Sequence, residues 1–231
     1  TGALLEQTRI SIAPNSQALF YGTMLKLGVN LTHSDRWSGT YLLLPKLSSD
    51  LKKVNHRDVQ LGGLVLIKYS LSNHFNYRFG FYANSDLFGP MLVPIFGIYL
   101  LKNKWEISSA LPINADISYL VAPKNKFGFR FAGINKSYWI NNGSNQYMEK
   151  VNNELGLYYR LIQKNVQLQL LAGYSLGRKF KTYDENDRMA LALSAIKFDN
   201  NRTQINQHFS DGIIGKVSFV YRISTAKSDP S

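Results

Sequence analysis

Leu19-Phe20-Tyr21-Gly22-Thr23-Met24-Leu25-Lys26-Leu27-Gly28-Val29-Asn30-Leu31 is the stretch that decides the fold. Its odd positions read Leu, Tyr, Thr, Leu, Leu, Val, Leu, a nearly continuous apolar face. Its even positions read Phe, Gly, Met, Lys, Gly, Asn and are small or polar toward the end. Period two is the signature of a β-strand with one buried and one differently solvated face. The alternation outlasts the roughly 5–6 residues of an ordinary soluble strand. Long alternating strands with one lipid-compatible face predict a transmembrane β-barrel.

The pattern recurs along the chain. Val59, Leu61, Gly63, Val65, Ile67 and Tyr69 alternate with Gln60, Gly62, Leu64, Leu66 and Lys68. Further alternating runs lie at 75–83, 151–161, 166–176 and 213–223, with weaker ones at 91–101, 105–113, 115–122 and 126–137. Short connections at Ser72-Asn73, Lys102-Asn103-Lys104, Pro123-Lys124-Asn125 and Gln163-Lys164-Asn165 separate several of them. Asn accepts the positive φ that tight hairpins require. Longer connections are expected at 32–58, 84–91, 134–147 and 178–210. The short turns are expected on the periplasmic side and the long loops outside.

This bookkeeping predicts one all-β domain over residues 1–231, an antiparallel transmembrane β-barrel of about 10 strands, with 8 or 12 as alternatives. Residues 1–17 have no settled place: Leu5–Ala13 reads as a strand, but inserting it inverts every later loop. Residues 188–198 read as an extra strand or a short helix in the last loop.

Composition points the same way. Charged residues make up 18% of the 231, below the roughly 25% of a soluble domain. There are 14 Tyr and 13 Phe, more than a soluble core needs and suited to a membrane interface. No run approaches the roughly 20 apolar residues of a spanning helix. Cysteine is absent, which excludes disulfides, thiolate metal sites and a cysteine nucleophile. The net charge of +12 would suggest nucleic acid, yet the bases sit at turns and alternate strand positions, with no RNA-binding aromatic motif, so no nucleic-acid partner is expected.

Tyr21, Tyr69, Phe75, Trp105, Tyr119, Phe127, Tyr159 and Tyr221 fall near strand ends that face the short turns or a terminus, as one interfacial girdle would. Tyr138, Trp139, Tyr147 and Tyr174 fall toward the long loops, as a second. Leu25, Leu27, Val65, Ile67, Phe79, Leu157, Leu168, Leu170, Val217 and Phe219 are the expected lipid-facing set, with Leu168 taken as a midplane position.

The middle of the chain resembles an uncharacterised family of Gram-negative outer-membrane β-barrel proteins, a domain of unknown function. The resemblance rests on Leu61-Gly62-Gly63-Leu64, Phe79-Gly80-Phe81-Tyr82, Phe88-Gly89, Val93-Pro94-Ile95-Phe96-Gly97, Trp105 and Leu111-Pro112. It runs from about Leu4 to Val220-Tyr221-Arg222-Ile223. It implies location and architecture and carries no activity with it.

Catalytic chemistry finds little footing. His33 with Asp35, or His56 with Asp58, could form part of a hydrolase site, and Asn142-Gly143-Ser144-Asn145 faintly resembles the serine surroundings of an outer-membrane phospholipase. Loop residues of this kind are far more often simply solvated. Asp184-Glu185-Asn186-Asp187 lacks the spacing of a calcium loop, so no metal and no cofactor is expected. On the inward face Arg78, Arg130 and Arg160 share space with Glu106, Asp116 and Glu154, joined by Lys26, Lys68, Lys216 and Arg222. The expectation is a plugged, charge-paired interior in which Arg78, Arg130 or Arg160 pairs with Glu106, Asp116 or Glu154 and the remaining bases lie near the barrel mouths. The function expected is a non-catalytic integral outer-membrane barrel, structural or accessory to an envelope complex. A small passive pore or solute-binding barrel is the alternative, and a membrane-embedded lipid hydrolase the second. The expected partners are outer-membrane lipids and lipopolysaccharide, with other outer-membrane or periplasmic proteins as a further class.

Overall fold

A computed structural model describes residues 2–13, 16–141, 145–194, 196–206 and 210–221. The strands are β1 (Gly2–Ala13), β2 (Ser16–Thr32), β3 (Trp37–Ser49), β4 (Val59–Ser72), β5 (Phe75–Asp86), β6 (Gly89–Lys102), β7 (Trp105–Ala110), β8 (Asn114–Ala122), β9 (Asn125–Ile140), β10 (Gln146–Gln163), β11 (Val166–Asp184), β12 (Leu191–Leu193), β13 (Ile196–Phe198) and β14 (Gly212–Tyr221). Among the described residues the only helical turn is a 3-10 turn at His56–Asp58. No helix there is long and apolar enough to cross a membrane.

Each strand from β1 to β11 pairs antiparallel with the next, and β14 adds to β11. A parallel bridge between Ser49 and Trp139 joins β3 to β9. Strands β3 to β9 thereby form a closed seven-stranded barrel, with β1 and β2 continuing the sheet on one flank and β10, β11 and β14 on the other.

The path of twelve strands departs from the predicted ten in two linked ways. Residues 32–58 were expected to be one loop, but β3 runs through them. Its Leu42-Leu43-Leu44-Pro45 run hides the alternation, because proline in a strand argues against the strand. The sheet tolerates Pro45 by skipping there: Met24 pairs with Lys46 and Leu27 with Leu43, leaving Leu25 and Lys26 unpaired on that side. The second departure is β1, which pairs with β2 along nearly its whole length. Two added strands restore the parity that one would have inverted, except that β2 itself now runs the other way. Tyr21 consequently lies opposite Ser49 at the long-loop end, not in the short-turn girdle.

Two other expected long loops contract. Residues 84–91 become the turn Leu87-Phe88, and 134–147 shrink to 141–145. The five connections at 33–36, 73–74, 103–104, 123–124 and 164–165 share one end of the barrel. The opposite end carries 50–58 and the long segment 185–211.

That segment is not an open loop. β12 and β13 form a small hairpin within it, so 191–193 and 196–198 of the stretch 188–198 are strands. β7 pairs with β6 only at Tyr99–Lys102 and Leu111 bridges to Phe96, which leaves the β6 edge above Phe96 to β12, Ala192 lying beside Met91 and Leu193 beside Leu92. Met189 donates its N–H to the Phe88 carbonyl at 2.9 Å. A Cβ on Gly89, at φ +126°, would lie 2.4 Å from the Met189 carbonyl oxygen, so the close approach requires glycine. Leu87, Phe88, Met91, Val93, Trp139, Tyr147, Tyr183, Met189 and Ala192 form the cluster beneath the hairpin. Phe20, Tyr138, Met148 and Phe180 form a second cluster on the other face of the same β9–β11 sheet.

The wall itself is apolar outside. Of the ten expected lipid-facing residues, Leu25, Leu27, Val65, Phe79, Leu157, Leu170, Val217 and Phe219 are exposed and Ile67 and Leu168 half-buried. Leu168 is not at mid-height: it pairs with Leu161, close to the 164–165 turn. The inner face carries Phe20, Gln60, Asn76, Asn84, Ser118, Tyr158 and Gln169, all buried.

Candidate functional site

The interior holds two groups of charges at different heights. The lower group is the one anticipated from the sequence, and alternation on β5, β7, β8 and β10 delivers its members to one side of the wall. Arg160 on β10 donates Nη2 to Asp116 Oδ2 on β8 at 3.1 Å and Nε to Gln169 Oε1 on β11 at 2.9 Å. Tyr158 donates its hydroxyl to Asp116 Oδ1 at 2.5 Å. Its ring lies against the backbone of Gly128, its register partner, in space a Cβ would fill. Arg78 donates to Ser108 Oγ at 2.9 Å and Asn76 Oδ1 at 3.2 Å and lies 5.4 Å over the Tyr99 ring.

Glu106 and Glu154 find lysines instead of the anticipated arginines. Lys126 bonds Glu106, and Lys216 bonds Glu154, which also accepts from Asn152 at 3.0 Å. Arg130 sits opposite Asp116 in register, but both Asp116 oxygens are engaged elsewhere. Arg130 is exposed and forms no ion pair among the described residues. Arg222 lies outside the described residues.

The upper group is held by Lys197 and Arg202 of the segment that follows β11. Glu149 on β10 is fully buried and takes Arg202 Nη2 at 3.0 Å and Lys197 Nζ at 2.8 Å. Arg202 also donates to the Tyr147 hydroxyl at 3.2 Å and lies 4.2 Å over the Tyr183 ring. Burial alone would lower the Arg202 pKa, but Glu149 and the Tyr147 hydroxyl hold it above the ordinary arginine value. Beside this group Asp86 on β5 accepts from Asn84 and from Ser137 Oγ on β9, the latter at 2.9 Å. Gln60 on β4 donates to the Ser137 carbonyl at 3.0 Å, and Lys46 on β3 donates to the Tyr82 hydroxyl at 2.8 Å. A buried polar network thus ties four strands of the closed barrel together under the hairpin.

The residues considered for catalysis are dispersed. Asp58 is buried and accepts the Asn55 N–H at 2.6 Å, capping the 3-10 turn and leaving its neighbour His56 exposed. His33 lies at the short-turn end, 3.0 Å from the Tyr41 hydroxyl. Asn142-Gly143-Ser144 lies outside the described residues. Glu185 of the acidic cluster pairs with Arg57 at 2.8 Å, and Asp187 accepts the Thr203 N–H at 3.0 Å. Among the described residues no group of three His, Asp or Glu is placed to hold a metal ion.

Residues 4–213 match a family described as a domain of unknown function, DUF6268. The chain belongs to that family. No curated protein and no solved structure matches it. In this DUF6268 chain the outer aromatics form two register rows. Trp37, Tyr69 and Tyr77 are successive cross-strand neighbours, as are Trp105, Tyr119, Phe127 and Tyr159. The Trp37 and Tyr69 rings meet at a tilt, 4.7 Å apart, and the Trp105 and Tyr119 rings meet edge to face at 5.0 Å. Phe75 and Tyr221 lie near the same short turns. Tyr138, Trp139 and Tyr147, read from sequence as a second girdle, are instead buried in the two interior clusters.

The upper network is not legible in the sequence. Glu149 and Ser137 sit where alternation has stopped, and Arg202 lies in a segment without periodicity. Lys126 was legible: it shares the inward phase of Gly128 and Arg130 on β9.

Proposed function

We propose that this DUF6268 chain is a non-catalytic integral barrel of the bacterial outer membrane and a structural or accessory subunit of an envelope complex. One observation carries the reading: the exposed face of the strands is apolar and the enclosed face polar. A soluble lipocalin-like barrel has the opposite polarity, with its apolar face inside. A spanning barrel needs an apolar outer band above an interfacial aromatic girdle, and the Trp37 and Trp105 rows fit that girdle.

The interior favours a closed body over a pore. Tyr158, Arg160, Asp116, Arg78 and the pairs at Glu106 and Glu154 occupy the lower half, and the β12–β13 hairpin covers the upper half. Glu106, Asp116, Glu149 and Glu154 each have a basic partner, as a packed interior requires, while Arg78 and Arg130 have no carboxylate partner among the described residues. In lipid an unpaired strand edge is costly. β1 and β14 run antiparallel and each has a free edge among the described residues, so their pairing in the membrane would complete an even count of twelve. Lipopolysaccharide and neighbouring envelope proteins are the partners this surface would meet.

The test is expression in a Gram-negative host with fractionation and planar-bilayer recording. The expected result is recovery in the outer membrane, resistance to carbonate extraction and little steady conductance. Release by carbonate would refute the integral barrel, and a stable anion-selective current would replace it with the passive-pore reading. A stoichiometric partner retained in mild detergent would identify the complex.

A further inference from the structure

The five short turns have a charge pattern unlike the rest of the surface. Arg36 lies in 33–36, Lys104 in 103–104, Lys124 in 123–124 and Lys164 in 164–165, and Lys102 ends β6 beside them. All five cations are exposed, and among the described residues none forms a salt bridge. Asp35 is the one acid in these turns. The opposite end mixes signs and pairs them, as Arg57 with Glu185 and Arg202 with Glu149.

Two of the cations fold back over the aromatic rows. Arg36 Nη1 donates to the Tyr69 hydroxyl at 3.4 Å, beside the Trp37–Tyr69 pair. Lys104 Nζ lies 6.0 Å from the Tyr119 ring, beside the Trp105–Tyr119 pair. Rings of this kind settle at headgroup level, so the cations directly beyond them stand at the height of lipid phosphates. A basic residue near an anionic surface favours association by about fivefold.

We infer that the short-turn rim is a binding surface for anionic phospholipid headgroups, with its densest part formed by Lys102, Lys104 and Lys124 around the Trp105–Tyr119 ring pair. This rests on the membrane-barrel reading. That reading also selects phospholipid over lipopolysaccharide, because short turns face the periplasmic leaflet, where phospholipid lies.

The three tryptophans supply the test. Trp37 and Trp105 are exposed at this rim, while Trp139 is buried in the other half. The protein is reconstituted in phosphatidylcholine vesicles containing a trace of dansyl-labelled phosphatidylglycerol or dansyl-labelled phosphatidylcholine, and energy transfer from tryptophan is measured. Transfer to the anionic probe should exceed transfer to the zwitterionic one several-fold and should fall at high salt. The triple variant Lys102→Gln, Lys104→Gln, Lys124→Gln should insert equally well and lose most of that preference. Equal transfer to both probes, or a preference that survives the triple substitution, overturns the rim site and leaves the barrel reading standing. Preferential displacement of the anionic probe by lipopolysaccharide overturns the choice of lipid. Failure to insert into vesicles of either composition overturns both readings.

Discussion

In the lower part of β10, Leu155, Leu157 and Tyr159 face outward while Gly156, Tyr158 and Arg160 face in, with Leu157 and Tyr159 exposed and Gly156 and Tyr158 buried. Near the start of the same strand Tyr147, Met148 and Glu149 are consecutive and all buried. β9 repeats the contrast: Phe127 and Phe129 are exposed on either side of buried Gly128, whereas Ser137, Tyr138 and Trp139 are buried without interruption. The cause is coverage. β9 pairs with β8 only through Ala132, and beyond that its edge meets β3. One face of the β9–β11 sheet is then covered by the β12–β13 hairpin and the 87–88 turn, the other by Phe20 of β2. A wall strand sees two solvents and alternates; a strand covered on both faces sees one and does not.

The largest effect should come from breaking the upper half. Glu149 is fully buried with Arg202 almost equally so. Glu149→Ala strands a buried guanidinium and should cost about 3–5 kcal/mol in urea unfolding of the refolded protein. Glu149→Gln combined with Arg202→Met, which removes both charges, should recover much of that loss. Equal losses in the single and double variants would mean that the hairpin is not held by this pair.

Substitutions in the wall should be graded by depth. Arginine at Leu157, mid-strand on β10 and exposed, should cost about 2–4 kcal/mol in vesicle-refolded protein. Arginine at Leu168, close to the turn, should cost about 0–1 kcal/mol. Equal tolerance at both would remove the case for a lipid-facing band.

The smallest effect is expected where a pair is open to solvent. The Lys216 side chain is 44% exposed, so Glu154→Gln should change stability by at most about 1 kcal/mol and leave permeability unaltered. A loss as large as that of Glu149→Ala would show that the lower pairs carry the interior.

This division also explains what the sequence could convey. The outward set from Leu25 to Phe219 and the lower charges Asp116 and Arg160 were readable, because each strand there repeats a two-residue rule. β3 was hidden by its leucine run and Pro45, and the Asp86–Ser137 and Glu149–Arg202 contacts join residues about 50 apart in the chain with no periodic signal. Arg130 shows the limit of register reasoning: it stands opposite Asp116, yet Asp116 is taken by Arg160 and Tyr158. Tyr21 shows how one missed strand turns a correct face assignment into a wrong height.

The chain has no cysteine, so single cysteines can be placed at each residue from Leu155 to Arg160 and spin-labelled without background. Electron paramagnetic resonance in vesicles then compares collision with oxygen, which concentrates in lipid, and with a water-soluble nickel chelate. High oxygen and low nickel accessibility are expected at 155, 157 and 159, with low values of both at 156 and 158. Nickel accessibility that peaks at 155, 157 and 159 would place the apolar face in water and contradict the membrane barrel.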